Sequence, residues 1–136
     1  MCNRENDSCC FNEILCGIVK LQRQSECPSA CASTCDRPYL GLGTTSCLYN
    51  TRPINLYSCC NSTLWSMPYT LNGETGTSTV FRVEAVEDCC ATFRILAPNP
   101  DETSDVPYVA TDNFFTMNLN CTGAISCLPD TYISCI

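Results

Sequence analysis

Histidine is absent from this chain of 136 residues. That absence removes the commonest general base and the commonest neutral metal ligand, and with them the ordinary Cys-His and Ser-His-Asp forms of nucleophilic catalysis. Cations are scarce: 7 lysines and arginines stand against 14 acidic residues, for a formal charge of −7. No basic patch exists to neutralise phosphates, so nucleic acid is not an expected partner. Apolar runs are short. None approaches the ~18 residues that point to a membrane-spanning helix, so no membrane is expected either. The glycine motifs that cradle phosphates are missing, as is the C-x₂-C knuckle from which structural zinc sites are usually built. The expectation is a protein that is not an enzyme and carries no cofactor and no metal.

What is abundant is cysteine, with 15 in the chain, in a composition that is 45% apolar and only 15% charged. The apolar share is enough for one domain with a real core, and the cysteine share is that of disulfide-dense or metal-dense chains. Three doublets stand out: Cys9-Cys10, Cys59-Cys60 and Cys89-Cys90. Adjacent cysteines seldom bond to each other, because so small a ring distorts the geometry, so each member must find its own partner or stay free. The odd total forbids complete pairing within one chain. The opening stretch, "MCNRENDSCCFNEILCGIVKLQ", lacks the basic and apolar regions of a secretory signal. Cysteine usage thus says oxidising surroundings while the amino terminus says cytoplasmic synthesis. Thiols that bind metal inside the cell would reconcile the two, and so would thiols that oxidise after assembly.

Hydrophobic patterning divides the chain into a cysteine-bearing leader over residues 1–10, a helical segment over 11–36 and a β domain over 37–136. Phe11, Ile14, Leu15, Ile18, Val19 and Leu21 follow helical spacing. Cys27, Cys31 and Cys35 are spaced four apart, so on a second helical turn they share one face. From Ser46 onward, short runs rich in β-branched and aromatic residues alternate with Pro, Gly, Asn and Asp: "SCLYN", "INLYSC", "STLWSMPYTL", "STVFRVEAV", "CATFRILA", "NFFTMNLNC" and "AISCL". They predict a mainly β fold, a small antiparallel β-sandwich of jelly-roll type preceded by the helix. "VEDC" reads as a hairpin link, and "APNPDETSDVP" as an acidic surface loop.

Individual residues carry bland expectations beside this one. Cys16 and Cys47 read as buried small hydrophobes. Glu84, Glu87 and Asp88 read as solvated charge, and Arg52 and Arg82 as partners for carboxylates. Trp65, Tyr57, Tyr69, Phe81, Phe93, Phe114 and Phe115 read as core or subunit-interface aromatics. The sequons at Asn61 and Asn120 read as chance matches. On a strand, neighbouring side chains point to opposite faces, so a doublet offers one sulfur inward and one outward.

The segments "ECPSACASTCDRPYLG", "NTRPINLY", "VFRVEAVEDCCATFRIL" and "NLNCTGAISCLPD", in this order, resemble the spore coat protein Y/Z and exosporium protein Y family of spore-forming bacteria. The resemblance covers about Phe11 to Asp130. It implies a structural protein of the outermost spore layers, made in the mother-cell cytoplasm without a signal peptide. It further implies self-assembly, through a cyclic homo-oligomer, into a disulfide-cross-linked lattice alongside other coat and exosporium proteins. A disulfide-linked surface filament or a cysteine-cluster metal protein is the alternative. Family cysteines fall on Cys27, Cys31 or Cys35, on one of Cys89 and Cys90, and on Cys121 and Cys127. Where the family pattern has Cys-Phe-Cys, this chain has Cys121-Thr122-Gly123. Bonds between subunits are assigned to Cys2, Cys9, Cys10, Cys59, Cys90 and Cys135, the terminal ones because chain ends reach neighbours. Bonds within the subunit, or structural roles, are assigned to Cys27, Cys31, Cys35, Cys60, Cys89, Cys121 and Cys127.

Overall fold

The computed structural model describes residues 10–24, 49–134 and 136. Helix α1, Cys10–Gln24, buries the expected stripe of Leu15, Ile18 and Val19, with Cys16 beside it. Two buried amides fix it lengthwise along a strand. Asn12 donates to the Asp88 carbonyl near one end, and Gln22 donates to the Val83 carbonyl at 2.8 Å near the other. Gln22 also accepts from the Arg52 backbone N–H at 3.1 Å, which ties the helix to the chain entering the sheet.

Seven strands follow: β1 (Ile54–Ser58), β2 (Met67–Leu71), β3 (Glu74–Ser78), β4 (Val80–Glu87), β5 (Cys90–Pro98), β6 (Tyr108–Asn118) and β7 (Thr122–Cys127). A short 3₁₀ turn, Leu119–Cys121, joins β6 to β7. Five strands form one antiparallel sheet in the order β6-β5-β4-β1-β7, while β2 and β3 form a separate hairpin. The fold is mainly β and antiparallel with an N-terminal helix, as the patterning indicates. None of the described helices is long and apolar enough to cross a membrane.

The sequence reading missed β3, because "ETGTS" contains no large apolar residue. Its signal was Asn72-Gly73. Both residues have positive φ (53° and 83°) and link Leu71 to Glu74 as the two-residue turn that favours Asn-Gly. Tyr49 and Asn50, expected in a strand, lie outside all of them. Instead the Asn50 amide donates to the Ile133 carbonyl at 2.8 Å and accepts from the Ile133 N–H at 2.9 Å. The second expected helical turn lies outside the described residues.

Phe81, Phe93 and Phe115 pack together across β4, β5 and β6, Phe81 edge-on to Phe115 with ring centroids 4.9 Å apart and Phe93 stacked on Phe115 at 5.3 Å. Ile54, Leu56, Val83 and Ile95 complete the sheet side of a core that α1 also enters. The reading of Glu84 as solvated charge needs correction. Its Oε2 accepts from Arg82 at 2.7 Å and from Arg94 at 3.1 Å. Arg82 is buried and also donates to the Thr51 hydroxyl at 2.9 Å. Arg82 and Arg94 are direct partners across β4 and β5; β4 bulges at Glu84, between Val83 and Ala85, and β6 bulges opposite Arg94–Leu96, whose partners are Phe114 and Ala110. Alternation alone does not foresee such a cluster.

Candidate functional site

The doublet in "VEDCC" sits at a tight hairpin. Glu87 pairs with Cys90, leaving Asp88 and Cys89 as the two turn residues, and Asp88 takes the positive φ of 52°. Cys89 is half-buried, packs against the core and is disulfide-bonded. Cys90 begins β5 and is free and exposed. Cys16, expected as an inert buried thiol, is buried but likewise disulfide-bonded.

The doublet at Cys59-Cys60 behaves differently. β1 ends at Ser58, so both cysteines occupy a turn and the opposite-faces argument does not apply to them. The turn is fixed locally. The Ser58 N–H donates to the Thr63 carbonyl at 2.9 Å, the Ser62 N–H donates to the Ser58 carbonyl at 3.1 Å, and the Asn61 side chain accepts from the Ser58 hydroxyl at 2.5 Å. Both thiols are free and exposed.

These elements meet at one pole of the sheet, around the 3₁₀ turn. The Leu119 N–H donates to the Cys89 carbonyl at 2.7 Å, and the Cys59 N–H donates to the Cys121 carbonyl at 3.0 Å. Cys90 pairs with Asn118. Asn120 lies between two sulfurs: the Cys59 thiol is 3.6 Å from its carbonyl oxygen, and the Cys89 sulfur is 3.8 Å from its side-chain oxygen. The approach is close enough to need glycine at position 123, where a Cβ would stand 2.9 Å from Cys59 Cα and 3.1 Å from the Ser58 carbonyl oxygen. Thus Cys121-Thr122-Gly123 places a glycine where β7 presses on the Cys59 turn.

Desolvation pushes the Cys59 thiol above its ordinary pKa, and the neighbouring Cys60 and Cys121 thiols push in the same direction. Less thiolate is therefore present near neutral pH, and thiolate is the reactive form. We expect alkylation of Cys59, followed by mass spectrometry across a pH series, to show a midpoint above the ~8.5 of a free thiol. A midpoint at or below that value would mean that its neighbours do not crowd it.

Cys127 closes the far end of β7, about 20 Å from Cys121 at the usual strand rise. It is free and exposed. It helps line an open groove of about 650 Å³ with Ile14, Ile18, Leu21, Tyr49 and Arg52. Ile14 is 52% exposed, Leu21 64% and Tyr49 56%. The Arg52 guanidinium pairs with Asp130 at 2.9 Å, and both Asp130 and the Cys127 thiol favour its charged form.

Cys60, Cys121 and Cys127, expected to serve the subunit's own fold, therefore stand as free surface thiols beside Cys59 and Cys90. Cys10 is the first residue of α1, and Cys2, Cys9, Cys27, Cys31, Cys35, Cys47 and Cys135 lie outside the described residues. The sequence offered Asn120 only as a chance sequon and Gly123 only as a departure from the family pattern, and gave no sign of the meeting of Arg52 with Cys127. Only the strand register reveals these placements. Among the described residues, no group of three or more cysteine, aspartate or glutamate side chains is arranged to hold a metal ion.

A family model described as spore coat protein Z matches residues 1–107. No curated protein and no solved structure matches the chain.

Proposed function

The chain belongs to the spore coat protein Z family, and on that premise we propose that this structural coat protein assembles with copies of itself into a disulfide-cross-linked layer at the spore surface. The observation that carries this reading is the placement of the free thiols. Cys59, Cys60, Cys90 and Cys121 gather at one pole, and Cys127 stands at the other end of β7. Thiols at a single place yield dimers. Thiols at two separated places let bonds propagate from copy to copy, giving a lattice or a filament.

Exposed Ile14, Leu21 and Tyr49 beside Cys127 supply apolar surface for a first, non-covalent contact between copies, and closed cyclic symmetry is the default for such contacts. Oxidation then locks what has assembled. A bond between copies makes dissociation a covalent event, so the layer's resistance is kinetic rather than a matter of equilibrium stability. Other coat and exosporium proteins that carry free thiols can join by the same chemistry. A net charge of −7 keeps unassembled copies apart and soluble until then.

Electron microscopy and non-reducing electrophoresis of the purified protein, before and after exposure to oxidant, test the proposal. The expected result is extended assemblies that survive hot detergent and dissolve when reductant is added. A protein that remains one discrete monomer under both conditions would refute it.

A further inference from the structure

We propose that Cys59, Cys60 and Cys121 act as one thiol–disulfide exchange centre, in which Cys59 and Cys121 close a bond inside the subunit and Cys60 carries the bond to a second copy. The inference rests on the assembly reading above and reverses the roles that the sequence suggests for Cys59 and Cys60. Its basis is register. Ser58 and Thr122 are the last pair of the β1–β7 ladder, and just beyond it, where both chains turn, the Cys59 N–H donates to the Cys121 carbonyl at 3.0 Å. Residues joined by such a backbone bond lie side by side, as the two ends of a disulfide must. The Cys59 thiol already rests 3.6 Å from the carbonyl oxygen of Asn120, the residue bonded to Cys121. Cys60 has no such opposite number and is exposed in the turn.

The chemistry balances with a small-molecule disulfide, R–S–S–R, as oxidant. The Cys59 thiolate, a small fraction near neutral pH but the more nucleophilic for its raised pKa, attacks one sulfur of R–S–S–R, forming a mixed disulfide and releasing RS⁻, which takes up the proton that Cys59 lost. Two thiols can then resolve the mixed disulfide. Attack by Cys60 would close the strained ring of adjacent cysteines. Attack by the Cys121 thiolate on the Cys59 sulfur closes an unstrained cross-strand bond and expels the second RS⁻, which takes up the proton from Cys121. Overall, two cysteine thiols are oxidised to one disulfide and R–S–S–R is reduced to two RSH. Cys121 is held in place by the sheet, so its effective concentration exceeds that of a thiol on another molecule. Cys60 is left as the remaining thiol. The same two-step exchange, with the thiol of a second copy as the resolving group, joins the two molecules and again consumes one R–S–S–R.

Oxidised glutathione added to the reduced full-length protein, followed by alkylation, digestion and mass mapping, tests this. A Cys59–Cys121 linkage is expected within the monomer, with Cys60 either alkylated or bonded to another copy. Cys60→Ser should keep the Cys59–Cys121 linkage and lose the intermolecular linkage made from the Cys59-Cys60 turn, leaving only those through Cys90 at this pole. Cys121→Ser should leave Cys59 as a mixed disulfide with glutathione. A dominant Cys59–Cys60 or Cys60–Cys121 linkage would overturn the assignment. So would loss of the Cys59–Cys121 bond in Cys60→Ser. Extended reductant-sensitive assemblies joined through Cys59 would overturn this inference alone. A protein that forms Cys59–Cys121 yet stays monomeric would overturn the assembly reading, and with it the part given to Cys60.

Discussion

Glu84→Ala should lower the unfolding free energy by about 3 kcal/mol, the scale for breaking a buried charge pair by removing one partner. The Glu84 carboxylate is the common acceptor for two guanidiniums, Arg82 at 2.7 Å and Arg94 at 3.1 Å. The Arg82 side chain is only 7% exposed and that of Arg94 18%, so water cannot replace the lost anion well. Hydrogen bonds from Arg82 to Thr51 and Asn50, and from Arg94 to the Thr111 carbonyl, would remain with neutral acceptors, and the one remaining carboxylate, Asp112, is fully exposed and 4.0 Å from Arg94. Glu84→Gln keeps an acceptor and loses only the charge, so its cost should be smaller. Urea denaturation, with the redox state held fixed, measures both through a shift in midpoint. A loss below about 1 kcal/mol for Glu84→Ala would place the cluster with ordinary surface ion pairs.

Phe93→Ala should cost more still, about 3–5 kcal/mol, because truncating a buried ring loses both its transfer free energy and its packing. Phe93 is fully buried between β4 and β6, stacked on Phe115 with centroids 5.3 Å apart and 6.4 Å from Phe81. Phe114 provides the control. It neighbours Phe115 in the sequence but is 48% exposed, with the Arg94 guanidinium 4.4 Å from its ring centre. Its loss removes one exposed cation–π contact, worth about 0.5–1 kcal/mol. Paired urea curves for the two variants should therefore separate clearly. Equal losses would contradict this division between the buried Phe93 and the exposed Phe114.

The parts of the fold that rest on periodicity were legible in the sequence. The stripe in α1 and the cores of β4 and β5 follow from where apolar residues recur, and the exposure of the acidic loop from its charge and bounding prolines. β3 was not, because it has nothing large to bury and owes its place to the Asn72-Gly73 turn. The ion cluster escaped for another reason. Arg82 and Glu84 are two apart on one strand and read as an exposed face, while their burial depends on bulges and on residues as distant as Asn50 and Thr51.

The thiols divide in the same way. That Cys89 and Cys90 would differ follows from a doublet at a hairpin, since one member belongs to the turn and the other opens a strand. That Cys59 faces Cys121 does not follow from any local pattern. Sixty-two positions separate the two, and only the β1–β7 register, shifted between Tyr57 and Ser58, brings them opposite each other.

The position of β7 has a mechanical consequence. A subunit tethered to its neighbours through Cys60 and Cys127, with the Cys59–Cys121 bond closed, is gripped at the two ends of β7, because that bond passes the pull from the Cys59 turn into the strand. Tension between those grips runs along the covalent backbone of β7 and leaves its hydrogen bonds to β1 unloaded. A stretched layer would then strain covalent chain while the folded body hangs beside the line of force. Without the Cys59–Cys121 bond the same two tethers would route the pull across the β1–β7 ladder. The bonds there would be loaded together in shear, the direction in which paired strands resist most.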